Sequence, residues 1–174
     1  MFSKFREEHR RIADYARKLV QAPPVDKELN GSCWTSAYAA MRRAGAITRP
    51  EERRLVMASS AGSLDVLGPN PQPITTLAEF LAIPAGKVVA FVRPRGPGAP
   101  NTLSHVALSM GAGNIAGTNN TSIGGSPHWS ITALNAIVFQ GGQAQIADIG
   151  GVMQAYSVYL IPFTPVEQQR CIIM

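Results

Sequence analysis

A chain of 174 residues and 18.6 kDa has room for one folding unit of ordinary size and little room for two separate cores. Its 45% hydrophobic and 16% charged residues exclude the charge-rich composition of disordered chains, and no run of about 18 apolar residues offers a membrane-spanning helix. The opening MFSKFREEHRR lacks the apolar stretch of a secretory signal, and a net charge of +5 favours anionic surfaces without naming one.

Phe5, Ile12, Tyr15, Ala16, Leu19 and Val20 fall near one stripe at helical spacing, which predicts an amphipathic helix over residues 3 to 20, with His9 on its outer side. Pro23-Pro24 ends it, so residues 1–24 form an N-terminal helical segment. Cys33 to Ala44 (CWTSAYAAMRRA) reads as a second helix stopped by Gly45, with Arg42 and Arg43 complementing its dipole. Pro50 to Ser59 reads as a third, Ala61 to Pro73 as a loop, and Thr76-Leu77-Ala78-Glu79 as the capping box of a short helix ended by Pro84.

The period then changes. Lys87–Val92, Ser104–Met110, Asn114–Thr118, Trp129–Thr132, Ile137–Phe139 and Ala155–Phe163 read as strands, the first two separated by the loop RPRGPGAPN. Helices first and strands afterwards predict an α+β fold, one domain over 1–174 with helices packed on an antiparallel sheet and a flexible tail over 165–174. The basic residues of 4–18 and 42–54 are mixed with acids and interleave with no aromatics, so they read first as solvated helix faces, with a nucleic-acid surface as the lesser alternative.

Chemistry concentrates at Asn30-Gly31-Ser32-Cys33-Trp34. A cysteine in the first turn of a helix lies among unpaired backbone N–H groups, which favour thiolate over thiol and so activate a nucleophile; a buried, inert thiol is the competing reading. Gly31 would let a substrate approach the backbone, and Trp34 would wall the site. Of the three histidines, His105 sits in a strand pattern with apolar neighbours, either as a base for the thiol or as a strand histidine bonded to backbone. Across the Gly111-Ala112-Gly113 hairpin, pairing Met110 with Ile115 sets His105 opposite Asn120, and a loop one residue shorter sets it opposite Asn119. Either amide could fix the imidazole tautomer; the alternative is that Thr118-Asn119-Asn120-Thr121 is simply a turn. His128 and Asp148 rank behind them as second base and second orienting group.

Gly31-Ser32-Cys33-Trp34 before a helix resembles the nucleophile segment of the papain-like cysteine peptidases, and the order Cys33, His105, Asn119 or Asn120 resembles their Cys-His-Asn order. The separation of 72 positions from Cys33 to His105 makes a shorter core than in the papain branch, as in small bacterial effector proteases, deamidases and NlpC-type cell-wall amidases. Papains keep a glutamine six residues before the nucleophile; Lys27 stands there here, so the oxyanion donors are expected to be the Cys33 backbone N–H and the Asn30 side chain. The resemblance implies a papain-like hydrolase that cleaves a peptide or side-chain amide through a thioester, without cofactor or metal. It implies a protein or peptide-like substrate and an immunity or inhibitor protein as partners. By the same analogy it is made in a bacterial cytoplasm and exported without a signal peptide, to act as an effector or toxin in a periplasm or host cytosol. A peptidoglycan amidase and a non-catalytic basic binding module are the alternatives. Cys171-Ile172-Ile173-Met174 fits a prenylation box, so membrane contact is expected only if Cys171 carries a lipid.

Overall fold

The computed structural model describes residues 2–166, with side chains from residue 7 onward; Cys171 and its prenylation box lie outside the described residues. The described residues fold into four α-helices and a curled seven-stranded antiparallel sheet. Helix α1 spans Phe2–Gln21, α2 Cys33–Arg43, α3 Arg49–Ser60 and α4 Leu77–Leu81. Their starts follow the capping chemistry of the sequence. Ser32, Thr48 and Thr76 each accept the backbone N–H three residues on with their hydroxyl oxygens, and Glu79 accepts the Thr76 hydroxyl in return. At the other end of α2, Gly45 takes a left-handed conformation and Ala46 N–H reaches back to Met41 C=O, which stops the helix.

The strands are β1 (Val88–Pro94), β2 (Asn101–Gly111), β3 (Asn114–Gly117), β4 (Ser130–Ala133), β5 (Val138–Gln140), β6 (Gln143–Ala147) and β7 (Met153–Ile161), in the spatial order β4-β3-β2-β1-β7-β6-β5. β6 has no counterpart in the sequence reading. Its alternation rests on Ala144 and Ile146 alone, between glutamines, which is a faint apolar signal until the strand is paired with β7.

Alternate residues of the sheet serve two cores. Val88, Ala90 and Val92 of β1 and Leu103, Val106 and Leu108 of β2 face the helices, packing with Ile12, Ala16 and Leu19 of α1, Ala37 and Met41 of α2 and Leu55 of α3. Val89, Phe91, Ala107, Ile115, Ala144, Ile146, Tyr156 and Val158 form a second core with Phe80 of α4, Ile83, Ile123 and Leu134. His9 is half-buried, its ring edge-on to Phe163 at 5.5 Å between centroids, and so is not the surface residue expected of it.

One irregularity matters for chemistry. Phe91 pairs with His105 and Val92 with Leu103, so Ser104 is an extra residue in β2. Such a bulge breaks the two-residue alternation. Leu103 and Val106 can therefore both join the helix-side core, while His105 turns to the side of Phe91, 5.9 Å from its ring centre.

Candidate active site

Cys33 is the first residue of α2 and 6% exposed. Ser32 Oγ caps the Thr35 N–H, so the N–H groups of Cys33 and Trp34 remain outside the helix ladder and turn toward the sulfur. A third N–H arrives from the sheet, that of Val106, the residue after His105. Burial pushes the Cys33 thiol above the ordinary thiol range, and the N–H groups of Val106, Trp34 and Cys33 pull in the opposite direction without cancelling it. Desolvation thus outweighs the helix terminus, and the thiolate that the sequence position suggested is not the resting form.

His105 is 2% exposed and its Nε2 lies 2.7 Å from Asn120 Oδ1. Because that amide oxygen can only accept, Nε2 carries the proton and Nδ1 is left as the free lone pair. Among the described residues no hydrogen bond joins Nδ1 to the thiol of Cys33. Burial drives the imidazole pKa down to about 4, partly opposed by the Asn120 bond, so the ring is neutral at neutral pH.

Asn120 meets His105, but the ladder register is not what brings it there. The β2–β3 ladder runs Leu108 to Ala116 and Ser109 to Ile115, the shorter-loop alternative that would set Asn119 against His105, before slipping to Gly111 with Asn114. But β3 ends at Gly117, Asn119 adopts a left-handed φ of 53°, and a 3-10 turn over Asn120–Ile123 swings Asn120 inward. Asn120 is fully buried, and its Nδ2 faces Gly117 C=O at 3.3 Å and the Ser130 and Thr132 hydroxyls at 3.5 Å. Gly125 packs so closely that a Cβ there would lie 2.6 Å from Asn120 Cβ. The two asparagines divide the work: Asn119 turns outward and donates its Nδ2 to Gly31 C=O at 3.0 Å, fastening the turn to the nucleophile loop.

That loop has two further fastenings. Trp129 Nε1 donates to Leu29 C=O at 2.7 Å. On its outer side, Asp26 and Glu28 are gripped by Arg43, and Glu28 also by Arg42, at 2.7 Å. Asp26 is held below the ordinary carboxyl range by the Glu28 backbone N–H and Arg43, and Glu28 by Arg43 and then Arg42. Arg42 and Arg43 therefore fold back onto the segment ahead of Cys33 instead of merely complementing the α2 dipole. With Arg49 and Arg54 also paired to Glu28 or Glu52 and to Glu51, much of the basic run of 42–54 is neutralised by neighbouring acids.

Three expectations require correction. Asn30 donates its Nδ2 to Pro24 C=O at 2.6 Å and to Asp26 C=O at 3.0 Å, which uses both amide hydrogens and leaves none for an oxyanion. Asp148 accepts the N–H groups of Gly150 and Val152 with Oδ1 and shapes its own turn, so it does not orient His105. His128 is exposed in the loop beside Ser126, while its neighbour Trp129 points into the core. Trp34 stands half-buried beside the nucleophile with Nε1 on Ser60 Oγ at 3.2 Å, and Lys27 is exposed. Sequence reasoning did not reach the Val106 N–H or the Ser130 and Thr132 hydroxyls. The first is set by the packing of α2 on β2, and the other two become visible only once β4 is laid beside β3.

Among the described residues no group of three or more His, Cys, Asp or Glu side chains forms a metal site, and no helix is long and apolar enough to cross a membrane. The chain matches no protein-family model, no curated protein and no solved structure.

Proposed function

We propose that this protein is a papain-like cysteine hydrolase acting on an amide bond, with Cys33 as nucleophile, His105 as proton carrier and Asn120 as the group that orients it. The observation that carries the reading is the buried 2.7 Å contact of His105 Nε2 with Asn120 Oδ1, one residue away from the Val106 N–H that faces the Cys33 sulfur. A histidine in an apolar strand needs a reason to be there. Holding its tautomer so that Nδ1 accepts a proton is such a reason.

Thiol and imidazole are both neutral before substrate arrives, so the proton passes from sulfur to Nδ1 as the sulfur attacks the carbonyl. The N–H groups of Cys33 and Trp34 receive the developing oxyanion in place of the Asn30 amide. Collapse of the tetrahedral species breaks the C–N bond, and the Nδ1 proton leaves with the amine. Water then attacks the thioester, giving its proton to Nδ1, and the proton returns to the thiolate on release of the acid. Delivery as a bacterial effector or toxin, recognised by an immunity protein, belongs to the same proposal.

The test is intact-mass analysis after incubation with a peptide vinyl sulfone, comparing wild type, Cys33→Ala and His105→Gln. The reading expects one adduct on wild-type Cys33 and a rate about a hundredfold lower or more in His105→Gln. Equal labelling of wild type and His105→Gln would refute it. Release of free amines from purified peptidoglycan distinguishes a cell-wall amidase from an enzyme acting on proteins.

A further inference from the structure

The sheet has a free edge at β4, and that edge adjoins the amide that holds the imidazole. In the β3–β4 ladder Ser130 pairs with Gly117 and Thr132 with Ile115, and the bond from Leu134 N–H to Gly113 C=O fixes which pairs exchange hydrogen bonds. By antiparallel alternation, Leu134, Thr132 and Ser130 bond inward, so the N–H and C=O groups of Ile131 and Ala133 point away from the sheet. No described residue takes them. Side chains alternate in the same way. Ser130 and Thr132 turn in to the Asn120 amide, while Ile131 is 42% exposed. Beside this edge runs a groove of about 550 Å³, lined by Gly124–Pro127, β4 and Ile149, the last 64% exposed.

We propose that this edge is the docking strand for the polypeptide substrate, which adds to β4 in extended form with apolar side chains on Ile131 and Ile149. The inference rests on the hydrolase reading and names its substrate class. Two residues with outward donors and acceptors specify an extended backbone as the occupant. No charged side chain lines the groove of this +5 chain, so the occupant there is uncharged and is not nucleic acid. β4 carries neither the Lys nor the Pro that usually guards an edge. At four residues it spans about 13 Å, far less than the interface of a stable dimer, which favours a transient peptide over a second copy of the chain. A strand laid here lies one ladder spacing from the residues that touch Asn120, which couples occupancy to the orientation of His105.

The test uses ¹⁵N-labelled Cys33→Ala protein titrated with acetyl-Thr-Val-Thr-Val-Thr-Val-amide and with the same peptide N-methylated at alternate residues. The amide resonances of Ile131 and Ala133 should move saturably, and N-methylation in the register facing β4 should weaken binding about tenfold. Ala133→Pro, which deletes one outward N–H and no inward one, and Ile131→Lys should each weaken it by a similar factor. In the enzyme with Cys33 intact, Ile131→Lys should raise KM for a polypeptide and leave the rate on a small chromogenic amide unchanged. Absence of shifts at millimolar peptide, shifts at β5 instead, or broadening of Ile131 and Ala133 with protein concentration alone would overturn the proposal. Because binding is read in a protein without the thiol, its failure is separate from a failure of Cys33 to hydrolyse anything.

Discussion

Acidifying the protein from pH 7.5 to 5 should remove about 2 kcal/mol of stability through His105 alone. Burial holds the folded imidazole at about 4, against 6.5 in the unfolded chain. A base whose folded pKa is depressed binds fewer protons in the fold, so its neutral state is fully tolerated above 6.5 and stability falls as the pH drops toward 4. The full difference is worth about 3 kcal/mol, of which about two thirds is expressed by pH 5. Asp26 and Glu28, with lowered carboxyl pKa values, lose their contribution in the same direction and must be cancelled by comparison. His105→Gln provides that comparison, since it keeps an amide able to meet Asn120. Urea unfolding followed by the fluorescence of Trp34 and Trp129 reads the effect. At a slope of about 2 kcal/mol/M, the wild-type midpoint should fall by about 1 M more than the variant midpoint over this pH interval. Parallel shifts in the two proteins would refute the burial argument. If His105→Gln does not fold, ¹³C-histidine NMR carries the same question, the His105 ring remaining neutral at pH 5.5.

Iodoacetamide should alkylate folded Cys33 slowly at neutral pH and faster only on the alkaline side of the ordinary thiol range, with urea restoring normal reactivity; fast labelling at pH 6 would mean that a thiolate–imidazolium pair already exists. Asn120→Ala should lower amide hydrolysis by about tenfold to a hundredfold and cost about 1–3 kcal/mol for the unpaired ring N–H, whereas Asn119→Ala, which only unfastens Gly31, should cost about 1 kcal/mol; equal activity losses would contradict the division of labour between them. Gly125→Ala, whose new methyl would press on Asn120 Cβ and on Thr132 Oγ1 at 2.3 Å, should reduce activity toward the Asn120→Ala level without touching Cys33 or His105. Full activity in that variant would show that the Asn120 position is not tightly held.

The helices and most strands were legible because their signals are local. Ser32, Thr48 and Thr76 cap through contacts three residues away, Gly45 stops α2 with its own backbone, and strands rich in Val, Ile and Phe declare themselves in any window that contains them. Cys33 at a helix start and His105 in a strand were legible for the same reason. Tertiary structure alone decided what these groups do. Which asparagine meets His105 depended on β3 stopping at Gly117 and on the left-handed turn at Asn119, not on ladder register. The Asn30 amide was taken by Pro24 and Asp26, carbonyls near in sequence whose orientation depends on how the segment before α2 is packed. Whether Cys33 rests as thiol or thiolate turned on desolvation, which is a property of everything packed around the sulfur and is written in no short stretch of chain. Local hydrogen bonds can be read from neighbours in sequence; burial and cross-strand contact are sums over neighbours in space, and only the folded chain performs that sum.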